Sequence, residues 1–169
     1  MIDPRTKPEG EEYMAYNRRR WGSDGWTHSM RRMGQQEGAA YGNWVWWPNT
    51  TNASRLLLFA EQTGQGDAAI SVLYKMCYEE GENVSLRETV AKAAERAGVE
   101  GGAEYVLSGE GMPELQHALQ NAKAGNKRVS AAPTFNIRVR DAAHSFSGAQ
   151  DTQNWIDILD HCARIAMDA

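Results

Sequence analysis

The chain has 169 residues, 41% hydrophobic and 24% charged, with a formal net charge of −4. That length suits one domain with a real core, and the composition is that of a soluble globular protein. The negative charge argues against a general nucleic-acid binder, which needs a positive excess to displace counterions from phosphates. The local basic run of Arg18, Arg19, Arg20, Arg31 and Arg32 reads as a solvated helix face. No stretch approaches the roughly 20 apolar residues of a membrane span. Residues 1–20 hold no apolar signal-peptide core. A cytoplasmic protein is therefore expected, in which the sequons at Asn49, Asn52 and Asn83 carry little meaning, since glycosylation needs entry to the secretory pathway.

In chain order, residues 10–33 read as helix broken around Gly22–Gly25, with Glu11 and Glu12 ahead of the apolar Tyr13, Met14 and Tyr16. Gly38–Asn43 is a loop. Trp44-Val45-Trp46-Trp47, closed by Pro48, reads as a short extended run whose tryptophans pack in a core or interface. Any of Asn49, Thr50, Thr51 or Asn52 can cap the next helix, which carries Leu56, Leu57, Leu58, Phe59 and Ala60 and stops at Gly64. Ile70, Leu73, Tyr74 and Cys77 stand at i, i+3, i+4 and i+7 and predict a helix over 67–80. Ser85 and Glu88 read as a capping box for a helix through Val90, Ala93, Ala94 and Ala97. Two shorter helices are expected near 103–107 and 113–124, the second with Pro113 in its first turn.

After Gly125 the pattern changes. Residues 132–139 alternate as a half-buried strand does, Asp141–Ala143 can turn the chain, and His144–Ser147 can return as a second strand. The final helix gathers Trp155, Ile156, Leu159, Cys162, Ile165 and Ala166 on one side. Cys77 and Cys162 make no CxxC and read as buried reduced thiols. The four histidines show no metal-ligand spacing, so no metal is expected.

Several segments, in order, resemble the DsbA/FrnE family of thioredoxin-fold oxidoreductases. Ala132-Pro133-Thr134-Phe135 resembles its V-P-T-F segment, and Phe146-Ser147-Gly148-Ala149-Gln150 its S-G-A-Q turn into the last helix. Pro48-Asn49-Thr50 with Arg55-Leu56-Leu57 is similar to P-N-T…R-L-L, and Glu79-Glu80-Gly81-Glu82-Asn83-Val84-Ser85 to the E/T-E-G-x-x-I/V-S turn. Ile2-Asp3-Pro4 and Pro8-Glu9-Gly10 look like the L-N-P…P-x-G segment that follows the family's second strand.

The resemblance implies an α/β thioredoxin-like fold with a helical insertion, mostly α in this chain, with one β-hairpin from the incomplete thioredoxin sheet. It implies a connector over 1–9, a helical insertion over 10–125 and a thioredoxin-fold remnant over 126–169. The family's reaction is thiol–disulfide exchange, with a CxxC helix ahead of the L-N-P segment; the sequence here starts at that segment, so no catalytic residue can be named and the chain is expected to be inactive alone. What survives is the substrate-facing side: the resemblance implies a cis Ala132–Pro133 bond, with Ala132 and Pro133 binding a thiol- or disulfide-bearing protein or glutathione. Without the family, a trans proline starting an edge strand is the plain reading. No cofactor, nucleic acid or membrane is expected as a partner, and the open hairpin edge makes self-association possible. Two other readings stay open: a helical binding or scaffold protein using the Trp44–Trp47 surface and the Pro133 loop, and a glutathione-dependent enzyme of the glutathione transferase kappa and isomerase type.

Overall fold

The first helix, α1 (Tyr13–Trp21), opens on its own acidic neighbour. The Glu12 carboxylate accepts from the amides of Met14 at 2.8 Å and Ala15 at 2.7 Å, two of the donors a helix start leaves free. Helix α2 (Gly25–Gln36) follows. In the computed structural model, residues 5–39, 41–123, 129 and 133–167 are described. They fall into two units divided between Gln116 and His117.

In the first unit, residues 10–33 are not helical from the start as the sequence pattern suggests. Glu11–Glu12 form a short strand β1, paired antiparallel with β2 (Trp46–Trp47). Backbone pairing takes these two residues before the helix can. The tryptophans pack as expected: Tyr16 stacks on Trp47 at 4.0 Å, Trp44 tilts against Tyr13 at 4.8 Å, and Trp26 meets both Trp44 and Trp47 edge-on. Glu11, nearly buried, is matched by Arg19 at 2.6 Å.

Helices α3 (Thr51–Gln62), α4 (Gly66–Tyr74), α5 (Arg87–Arg96) and α6 (Gly102–Ser108) close around one core, with α3 against the other three. Leu56, Met76, Val90 and Val106 are fully buried there. Each such side chain stabilises the fold by roughly 1.5–3 kcal/mol. Two expectations change. The helix expected over 67–80 ends as α4 at Tyr74 and continues as a π-helical turn, Lys75–Glu79, closed by the Glu80 amide on the Lys75 carbonyl at 3.0 Å. The capping box at Ser85 and Glu88 does not form, because the Ser85 hydroxyl accepts from the Asn49 amide at 2.8 Å and α5 begins without a side-chain cap. Helix α7 (Met112–Lys123) ends the helical run.

In the second unit, β3 (Thr134–Val139) pairs antiparallel with β4 (Ala142–Ser147). The turn is Arg140–Asp141, tighter than the Asp141–Ala143 turn expected, and β4 starts two residues earlier than His144. Arg140 is left-handed (φ 51°), and its guanidinium donates to the Ala166 carbonyl in the last turn of α8 (Thr152–Met167), where a cation suits the helix dipole. Phe135, Ile137, Val139, His144 and Phe146 are half-buried on one face, and Trp155 of α8 packs against Phe135 and Phe146. Trp155, Cys162 and Ile165 of the expected stripe lie on the less exposed side of the helix, joined there by Ile158, which the sequence pattern did not pick out. Ile156 and Leu159 are 46% and 56% exposed, and Ala166 is exposed too. The apolar residues spread over more than one face, so periodicity alone could not choose between them.

The most buried charge is Arg55, 1% exposed on α3. It donates to the Glu110 carbonyl, to Asn52 Oδ1 at 2.9 Å, and to the Tyr105 and Val106 carbonyls at 3.0 and 3.3 Å, in the last turn of α6. Burial, with the nearby Arg87 charge, lowers its pKa from the ordinary arginine value; Tyr105 and Glu110 oppose the shift. Arg55→Met should leave buried carbonyls unpaired and cost about 2–4 kcal/mol in urea unfolding. Arg55→Lys should recover less than half of that, since an ammonium cannot serve the directions of a guanidinium fork. A loss below about 0.5 kcal/mol for Arg55→Met, the range of an ordinary surface substitution, would contradict this role.

Candidate functional site

The mouth of the hairpin brings together the two C-terminal segments that carry the family resemblance. Thr134 lies opposite Ser147 and Phe135 opposite Phe146. The two hydroxyls of Thr134 and Ser147 are 2.9 Å apart, and the Gly148 amide donates to the Pro133 carbonyl at 2.9 Å. Phe135 and Phe146 stack at 5.3 Å, with Trp155 edge-on to both. Pro133 stands exposed at this mouth. Its expected partner, Ala132, and the peptide bond between them lie outside the described residues.

The upstream segments of the resemblance also meet, but as a joint rather than a reactive centre. The N-cap position of α3 is Thr50, which makes no side-chain cap hydrogen bond; one residue earlier, the Asn49 side chain accepts from the Thr51 amide at 3.1 Å. Asn52 donates to the Ser85 carbonyl at 2.6 Å while accepting from Arg55. The Asn83 side chain accepts from the Ser85 amide at 3.1 Å and donates to the Glu9 carbonyl at 2.8 Å. Gly10, at φ 81°, closes the joint: a Cβ there would sit 2.6 Å from the Ser85 hydroxyl. All three sequon asparagines thus have their side-chain amides committed, either to this joint or to Arg55. Sequence reading picked out the segments and offered Asn49 to Asn52 as helix caps, but missed the bonds that tie these segments to Ser85 and Glu9.

The thiols are both free and buried. Burial pushes the Cys77 thiol up to about 12. That is the opposite of a reactive thiolate, which needs a lowered pKa and access. Tyr78, the next residue, is also raised by burial. Cys162 is buried on α8. His144 meets His161 edge-on at 5.5 Å, and its Nε2 is buried without a hydrogen-bond partner among the described residues. Two imidazoles alone do not make a metal site, and no group of three or more candidate ligands occurs among the described residues.

A family model described as the DSBA-like thioredoxin domain matches residues 23–160. This chain belongs to the DSBA-like thioredoxin domain family. The fold is the one expected, a thioredoxin-like domain that is mostly helical here, with only small antiparallel strand pairs. No curated protein matches the chain. No helix among the described residues is long and apolar enough to cross a membrane.

For this DSBA-like domain the buried Cys77 gives a pH signature. The folded thiol keeps its proton to about pH 12, whereas an unfolded cysteine ionises near 8.5. Above that lower value the unfolded state binds fewer protons, so stability present at neutral pH is lost as pH rises, by up to about 1.4 kcal/mol per pH unit. Urea unfolding at pH 7.5, 9 and 10 should show this decline, and Cys77→Ala should flatten it. Equal slopes for both proteins would contradict a buried, protonated thiol.

Proposed function

We propose that this chain forms the substrate-facing scaffold of a FrnE-type thiol–disulfide exchange protein, and that its own cysteines take no part in the exchange. The observation that carries this reading is the burial of both thiols in a DSBA-like domain, with Cys77 held far above a reactive range. The exchange needs a thiolate to attack a substrate disulfide, forming a mixed disulfide that a second thiol resolves. In this reading that pair comes from a CxxC segment other than residues 1–169. The substrate, a protein or small thiol such as glutathione, lies extended beside Ala132 and Pro133. The connector, helical insertion and thioredoxin-fold portions over 1–9, 10–125 and 126–169 belong to the same proposal, as does a cytoplasmic location.

Two features support it. Pro133 is exposed beside the Thr134–Ser147 pair. The strands β3 and β4 pair only with each other among the described residues, so their outer edges suit a further strand, from a CxxC-bearing segment or from a second copy. The scaffold reading that uses Trp44–Trp47 gains less: Trp44 is 7% exposed, and it stacks against Trp47 at 5.7 Å.

Insulin reduction by dithiothreitol provides the test. The chain and its Cys77→Ser/Cys162→Ser variant should both match the uncatalysed rate. Fusing a thioredoxin-type strand–helix–strand bearing CxxC ahead of residue 1 should produce turnover, and Pro133→Ala in that fusion should slow it. Turnover by the unfused chain that vanishes in the double serine variant would overturn the proposal.

A further inference from the structure

A second place in the helical unit collects irregular backbone around an open cavity. The π-helical turn Lys75–Glu79 is one irregularity, and such turns recur at functional sites. Tyr41, a non-glycine residue at φ 50°, is another. The two are tied together. The Glu79 carboxylate accepts from the amides of Tyr41 at 2.8 Å and Gly42 at 3.1 Å, and the Asn43 amide donates to the Tyr78 carbonyl at 3.0 Å. From the other side, Arg31 donates to the Tyr41 carbonyl at 2.7 Å. Gly34 leaves room for the Tyr41 ring, which a Cβ there would approach to 2.6 Å. The left-handed tyrosine is therefore fixed from two separate elements, α2 and the π-helical turn.

What these contacts frame is a cleft of about 460 Å³ lined by Met30, Tyr41, Tyr74, Lys75, Tyr78 and Glu79, among others. Tyr78 meets Tyr41 edge-on at 5.3 Å and Tyr74 at 5.9 Å, so the wall is aromatic. A mostly apolar cleft of this size with a few polar groups is the usual form of a small-molecule site. The cleft carries one charge of each sign, Lys75 and Glu79. Both Glu79 oxygens are taken by backbone amides. Lys75 is exposed and makes no hydrogen bond or salt bridge among the described residues. The hydroxyls of Tyr41, Tyr74 and Tyr78 likewise make none among the described residues.

We propose that this cleft binds a flat aromatic molecule carrying one negative group, its ring against Tyr74 and Tyr78 and its anion on Lys75. The site stands apart from thiol exchange and does not rest on that reading. Aromatic faces and edges favour offset or edge-on ring contacts over an aliphatic chain. The Lys75 ammonium acts on Glu80 through space but holds no salt bridge among the described residues, so its donors are open to an anion, whereas the Glu79 oxygens already accept from backbone amides.

Naphthoate, naphthylmethanol and octanoate, titrated into the isotope-labelled chain and followed by amide NMR shifts, test this. Naphthoate should saturate, with shifts centred on Tyr41, Gly42 and Tyr74–Glu79. Lys75→Met should weaken naphthoate roughly five- to tenfold and leave the uncharged naphthylmethanol unchanged. Tyr74→Ala, at an exposed position that leaves the core intact, should weaken both aromatic probes. The proposal fails if naphthoate does not saturate, if the shifts lie elsewhere, if Lys75→Met binds it as the parent does, or if octanoate binds as tightly.

Discussion

A buried guanidinium cannot be left half-satisfied, and Arg55 meets that demand by reaching across the helical unit. Its donors end α6, hold the Glu110 carbonyl and engage Asn52 at the start of α3. Asn52 in turn holds the Ser85 carbonyl, and Ser85 holds the Asn49 amide. Asn83 extends the chain of bonds to Glu9. Segments far apart in sequence therefore share one polar network, set against an apolar core that supplies most of the stability but little of the specificity. Removing one member exposes the others to the cost of an unpaired buried group, so the network holds as a unit.

Much of the fold was legible in the sequence because periodicity and helix breakers are local signals. The patterns around Leu56, Leu73 and Val90 mark helices that bury them, and the alternation from Thr134 to Val139 marks a strand. The errors arose where tertiary bonds outbid local ones. Ser85 had a good local partner in Glu88 but bonds a backbone amide 36 residues away. Glu11 and Glu12 suit a helix start, yet they pair with Trp46 and Trp47. The π turn has no sequence signature, since Lys75 to Glu79 reads as ordinary helix. On α8 the apolar residues spread over more than one face, and only the fold leaves Ile158 half-buried beside Cys162 and Ile165 while Ile156 and Leu159 stay exposed.

The candidate site divides in the same way. The pairing of the Pro133 and Ser147 segments follows from their spacing and from strand patterning. The roles of the upstream motif residues do not, because asparagine and serine serve caps, joints and catalysis with the same atoms. In this DSBA-like domain their partners are backbone groups of the scaffold. The recurring residues of the resemblance act as joints in the helical unit and as a strand mouth in the other. Both thiols are buried, and at Cys77 burial suppresses ionisation.

Native-state hydrogen exchange tests the central claim, that these loop segments belong to the cooperative core of the helical unit. The amides of Asn49, Thr51 and Ser85 lie at or beside helix ends, where exchange is ordinarily fast. With the Arg55 and asparagine network intact, they should exchange with the same opening free energy as the Leu56 amide in the middle of α3. Exchange of these three at loop-like rates, with Leu56 still protected, would show that the joint opens independently of the core and would contradict the account.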